Sequence, residues 1–110
     1  MASERGTFRV LLRAEIRPGM ADEWERTWLD IGNVVTGHPA NLGQWLMRSD
    51  EEEHVYYILS EWVSEPRFRE FEQSDQHLEH RKKLHPFRSG GAMWTMTVVH
   101  ALEKPAAVAR

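Results

Sequence analysis

Residues 55–71 constrain this chain more than any other stretch. Val55–Trp62 is β-branched and aromatic with a period of two, the pattern of a strand, and Ser64 and Pro66 follow at once with signals that open a helix. Trp62 therefore stands at the seam between a sheet and the helix leaving it. Loops end at such a seam and packing is least complete there, so it is where a concave pocket forms in a small α+β domain.

The remaining segments supply partners for that unit. Phe8, Val10, Leu12, Ala14 and Ile16 alternate with Arg9, Leu11, Arg13 and Glu15, which predicts a first strand over residues 7–16. The breaker Arg17-Pro18-Gly19 separates it from Met20, Trp24, Trp28, Ile31 and Val35, whose steps of three and four make the apolar stripe of an amphipathic helix. Gly37, Pro39 and Asn41 end that helix. Residues 42–48 read as a second strand, and Asp50, Glu51, Glu52 and Glu53 as a solvated turn into the third. Beyond Trp62, the residues Phe68, Phe71, Leu78 and Leu84 share a helical stripe, with a break expected near Gln73-Ser74-Asp75, where Ser74 caps a second segment. Residues 88–91 read as a glycine-containing loop and 92–102 as a long last strand. The order β-α-β-β-α-β is the ferredoxin-like arrangement of an α+β domain.

At 110 residues this is one domain, expected over residues 7–103, with a flexible arm at 1–6 and a flexible tail at 104–110. The absence of Cys excludes disulfides, thiolate nucleophiles and sulfur-bound metals. A net charge of -3 gives no electrostatic footprint for nucleic acid. No apolar run approaches a membrane span and the first residues lack a secretory apolar core, so the expected location is cytoplasmic, with no membrane partner. The central strands are apolar on both faces: Leu11 lies between Val10 and Leu12, and Tyr57 and Leu59 alternate with Tyr56 and Ile58. Two helices cover only one face of a four-stranded sheet. The simplest second cover is the same sheet of another copy, which predicts a homodimer.

The Arg17-Pro18-Gly19 turn into a tryptophan-bearing helix, the strand ending Ser60-Glu61-Trp62-Val63-Ser64, and the helix with Phe68, Phe71, Ser74-Asp75 and His77 together resemble the antibiotic biosynthesis monooxygenase family. The resemblance covers residues 8–102, and the stretches 38–45 and 84–91 are similar to small members encoded in aromatic polyketide and spore pigment clusters. It implies a dimeric α+β barrel with a pocket in each subunit between helices and sheet. It also implies an activity in which molecular oxygen oxidises an anthrone to a quinone, with no metal or flavin cofactor. A phenolic polyketide that loses a proton becomes a stabilised carbanion able to pass an electron to oxygen, so the protein must supply a base, donors for the enolate oxygen and exclusion of water. Residue by residue, the family's tryptophan at the end of the third strand falls on Trp62. The family's asparagine four residues earlier is Ile58 here, the aromatic hydroxyl six residues later is Phe68, and a basic residue of the second helix corresponds to Lys82.

His54, Tyr56, Ile58, Ser60 and Trp62 fall on one strand face by period two, which places His54 and Tyr56 beside any pocket that Trp62 enters. His77 and His80 lie three apart on the second helix and look the same way, and imidazoles with an ordinary pKa of about 6.5 suit proton abstraction at neutral pH. Without the glutamate of a His-Glu-x-x-His motif the pair is a weak metal signal, and no metal site is expected. The catalytic candidates are therefore Trp62, His77, His80 and His54. Arg88, in a His85-Pro86-Phe87-Arg88 segment read as a loop closing over the pocket, suits an enolate or phenolate oxygen. With Tyr56, Ile58, Phe68, Lys82 and Trp28 it forms the expected substrate-binding set. Plainer roles stand beside these: Trp24, Trp28, Trp45 and Trp62 as core or interface, His77 and His80 on a polar helix face, and His85 complementing a helix dipole.

The leading reading is a cofactor-independent monooxygenase acting on an aromatic polyketide and O2. A cyclase or aromatase of the same pathway and a non-catalytic polyketide-binding protein are the alternatives. A haem-degrading reading would use His77 or His80 as axial ligand, but the asparagine it expects on the first strand falls near Leu12.

Overall fold

The structure, a computed structural model, describes residues 8–104. The expected arm and nearly all of the expected tail lie outside the described residues. The elements in chain order are β1 (Phe8–Ile16), α1 (Ala21–Thr36), β2 (Asn41–Arg48), β3 (Val55–Trp62), α2 (Glu65–Glu72), α3 (Asp75–Leu84), a 3-10 turn (His85–Phe87) and β4 (Arg88–Thr97). One sheet in the order β2-β3-β1-β4, antiparallel throughout, is covered on one face by the helices, which is the ferredoxin-like α+β fold. Among the described residues no helix is long and apolar enough to cross a membrane.

Local chemistry sets the boundaries. Gly19, at φ 83°, turns the chain between β1 and α1, a conformation that glycine adopts without steric cost. Ser64 accepts a hydrogen bond from the Arg67 amide at the start of α2, and Pro66 occupies that helix's first turn. The expected break falls at Ser74, whose Oγ donates to the Phe71 carbonyl at 2.7 Å and accepts from the His77 amide at 3.2 Å. One hydroxyl thus closes α2 and opens α3.

Two apolar clusters lie between sheet and helices. Phe8, Val10, Val35, Trp62, Phe68 and Phe71 belong to the first; Ala14, Ile16, Trp24, Tyr56, Ile58 and Phe87 belong to the second. Leu12 and Leu84 pack against both.

The last strand differs from expectation at both ends. It begins at Arg88, so residues 88–91 are strand rather than loop. Gly90 and Gly91 clear a lane here instead of making a turn. A Cβ on Gly91 would fall 2.6 Å from the Arg13 carbonyl and 1.7 Å from the Arg88 guanidinium, and one on Gly90 would fall 2.9 Å from the Glu15 carboxylate. The strand stops at Thr97, which pairs with Phe8, rather than near residue 102.

The opposite face of the sheet carries an apolar row. Trp45, Leu59, Leu11 and Trp94 are cross-strand neighbours across β2, β3, β1 and β4, and the two indoles are each 47% exposed. Ion pairs flank the row. Arg9 pairs with Glu61, and Arg13 donates to Glu52 at 2.8 Å and 3.0 Å and to the Tyr57 hydroxyl at 2.7 Å. These contacts hold the acidic hairpin tip against the sheet and raise the pKa of the Arg13 guanidinium further above its ordinary value.

Candidate active site

A cavity of about 380 Å³ lies between the helices and the inner face of the sheet. Val10, Leu12, Ala14 and Ile58 line it from the sheet, Trp24 and Trp28 from α1, Phe68 and Phe71 from α2, and His77, His80 and Leu84 from α3; Arg88 and Met93 border it from β4. Trp28 fits because α1 has a glycine one turn later. A Cβ on Gly32 would meet the Trp28 ring at 3.6 Å and the Gln44 amide at 3.1 Å, and Gln44 Nε2 donates to the Gly32 carbonyl at 3.0 Å.

Trp62 is both wall and core. Its ring lies 5.1 Å from Phe68 and 4.7 Å from Phe71, and only 2% of the residue is exposed. Its Nε1–H donates to Ser60 Oγ at 2.8 Å, so the indole offers the cavity an apolar surface and has its polar atom already partnered. Ser60 keeps its own hydroxyl hydrogen and also lines the cavity.

The two imidazoles are brought together, with ring centroids 6.4 Å apart. His77 lies against Phe71 at 4.5 Å, and His80 is only 7% exposed. Nδ1 of each is buried without a hydrogen-bond partner. Burial pushes His77 down to about 4, with Arg81 and His80 adding to the effect, while Glu72 opposes it. Burial also lowers His80, with Lys83 adding. Both are therefore neutral at pH 7 and each offers one ring nitrogen as acceptor.

The depressed pKa of His77 sets a pH dependence of stability. Between the unfolded value of about 6.5 and the folded value of about 4, the unfolded chain binds a proton that the folded chain does not. Stability is unaffected by this group above about pH 6.5 and falls as the pH drops from there toward 4. Urea midpoints measured from pH 7.5 to 4.5 are expected to decline over this interval, and His77→Gln is expected to flatten the decline.

Of the residues singled out from sequence, Trp62, His77, His80, Ile58, Phe68, Arg88 and Trp28 border the cavity. The other three lie elsewhere. His54 precedes β3 in the turn at φ 64°, its side chain 45% exposed and 3.9 Å from Glu53, so the period-two reading fails where the strand has not yet begun. Tyr56 does face inward, but it packs on Trp24 at 6.1 Å and its hydroxyl donates to Glu25. Burial, then Glu25, pushes that phenol up to about 12. Lys82 points to solvent, 74% exposed, paired with Glu79 at 3.1 Å. The expected closing loop at residues 85–88 is instead the 3-10 turn and the start of β4. Sequence reasoning did not single out Glu72, Gln44 or Trp24 as cavity residues. Glu72 was legible as the next inward step of the α2 stripe after Phe68 and Phe71; the other two depend on how α1 meets β2.

Among the described residues no three His, Asp or Glu side chains converge as metal ligands. What they form is an aromatic chamber whose polar border includes His77, His80, Glu72 and the arginines Arg13, Arg81 and Arg88.

The fold is a ferredoxin-like domain, and this chamber is its candidate small-molecule site. The chain belongs to the antibiotic biosynthesis monooxygenase family, whose sequence profile matches residues 7–83. It is 32% identical over 82 residues to protein SchA of Streptomyces halstedii, a match covering 74% of this chain and 22% of SchA, so the chain spans about a fifth of that relative's length. A Caulobacter crescentus structure described as an antibiotic biosynthesis monooxygenase superposes with a TM-score of 0.78 at 24% identity, covering 89% of this chain and 94% of that one. A mutant of SnoaB, a cofactor-independent oxygenase from Streptomyces nogalater, superposes with a TM-score of 0.79 at 16% identity, covering 90% and 99%. At these identities the structural matches speak for the fold.

Proposed function

We propose that this protein is a cofactor-independent monooxygenase that oxidises a flat phenolic polyketide intermediate of the anthrone type to its quinone with O2. The carrying observation is the pair of neutral imidazoles that line an aromatic cavity, each with a buried Nδ1 that has no hydrogen-bond partner. The family membership and the likeness to SnoaB support the same reading.

In this mechanism His80 accepts the proton lost from the methylene carbon. The resulting carbanion passes one electron to O2, and the two radicals join as a carbon peroxide. The proton held on His80 passes to the peroxide to give the hydroperoxide; His80 then takes the second proton from the same carbon as the O–O bond breaks and the carbonyl forms, and hands it to the departing hydroxide as water. One oxygen atom enters the product and the other leaves as water. His80 is the better acceptor of the two, because burial, with Arg81 beside it, pushes His77 down to about 4. Arg88 stabilises the enolate oxygen, and the aromatic walls exclude water from the carbanion.

Anthrone and the purified protein in an oxygen electrode test the proposal: one O2 consumed per quinone formed, with one atom of 18O2 retained, is expected. A cyclase or aromatase needs no oxygen, and a carrier protein would bind the ring system without turning it over. The lack of a polar group at Ile58 and Phe68 is what favours the carrier as second reading. The apolar row of Trp45, Leu59, Leu11 and Trp94 supports a homodimer joined sheet to sheet. A monomer mass in sedimentation at micromolar concentration counts against it.

A further inference from the structure

Six buried side-chain nitrogen or oxygen atoms among the described residues lack a partner, and four of them belong to residues that line the cavity: Trp24 Nε1, His77 Nδ1, His80 Nδ1 and Arg88 Nε. Native interiors satisfy most of their polar groups, so such a concentration around one hollow marks what its occupant supplies. The four sort by position. Trp24 packs in the cluster containing Phe87 and Ala14, and Arg88 follows Phe87 opposite Ile16. His77 lies at the other end, against Phe71 in the cluster containing Val10. Ala14 and Val10 are four residues apart on β1, which separates the two ends by roughly 13 Å.

Indole N–H is a donor only, and so is guanidinium, whereas a neutral imidazole nitrogen either accepts or donates. Trp24 is 1% exposed, so its N–H reaches bulk water poorly. We infer that Trp24 is the ligand's hydrogen-bond donor at the Phe87 end of the cavity, and that the ligand carries an acceptor oxygen there, with its proton-yielding edge toward His77 and His80. This assigns Trp24, which the sequence reading took for core or interface, as a specificity-determining residue, and it fixes the direction in which the ring system lies. The inference rests on the reading of the cavity as a site for a flat aromatic ligand, but not on the oxygen chemistry.

Binding of 9-fluorenone and fluorene, flat tricycles that differ by one carbonyl oxygen, tests it without turnover. Titrations following tryptophan fluorescence are expected to show a preference for fluorenone in the wild type. In Trp24→Phe, which keeps an aromatic ring but has no N–H, the fluorenone-to-fluorene affinity ratio is expected to fall roughly fivefold to tenfold. Loss of packing affects both probes alike, so the ratio isolates the hydrogen bond. A second measurement needs no variant at residue 24: five indole N–H signals in a ¹⁵N spectrum are assigned through single substitutions at the other four tryptophans. The remaining signal is expected to move downfield with fluorenone and not with fluorene. An unchanged ratio, or a Trp24 signal that responds equally to both probes, overturns the inference and leaves the oxygenase reading standing. A ratio that falls in a protein without oxygen uptake overturns the oxygenase reading alone. Failure of both tricycles to bind the wild type overturns both.

Discussion

His80→Gln is expected to lower anthrone oxidation by about 10²-fold or more, while leaving the affinity for a non-reacting tricycle within a few-fold. The glutamine fills much of the same space and retains hydrogen-bonding capacity, but it has no nitrogen that takes up a proton. His77→Gln is expected to cost under about tenfold, since this ring is held near pKa 4 and a proton there is opposed by Arg81. Initial rates under air-saturated and anaerobic conditions, with quinone followed by absorbance, separate the two variants. Equal and unimpaired rates in both would remove the imidazoles from the chemistry and leave them as cavity lining.

Trp62→Ala is expected to destabilise the fold by about 3–5 kcal/mol, the usual range for deleting a large buried aromatic side chain. The ring stands among Phe68, Phe71 and His38 and is almost wholly enclosed, so little can collapse into the space it leaves. Equilibrium urea unfolding measures the loss. Trp62→Phe is expected to retain most of the packing and most of the turnover, because the Nε1–H that it removes already belongs to Ser60. A large fall in rate with a normally folded Trp62→Phe would show that the indole nitrogen leaves Ser60 and acts on the substrate.

The elements were legible because their signals are local. Alternation along β1, the three-and-four stripe of α1 and the Ser64 and Ser74 caps each depend on residues a few positions apart, and the structure has strands, helices and the α2/α3 break accordingly. Errors arose where a distant neighbour decides. Gly90-Gly91 has the composition of a turn, yet the pair is strand because the Arg13 carbonyl and the Arg88 and Glu15 side chains occupy the space where Cβ atoms would be. Tyr56 has the right parity for the cavity, but Glu25, thirty-one residues away, engages its hydroxyl. The aim of the Trp24 nitrogen depends on how α1 is rotated against the sheet, which no spacing in the sequence encodes.

Ser74 starts α3 afresh, so the ten residues that bear both imidazoles form their own short unit, joined to α2 through two residues and with His80 its only fully enclosed side chain. A segment seated so lightly breathes at low free-energy cost compared with the sheet beneath it. On the function proposed above, a rigid tricycle is therefore expected to slow amide hydrogen exchange along α3 more than a smaller or more flexible molecule does.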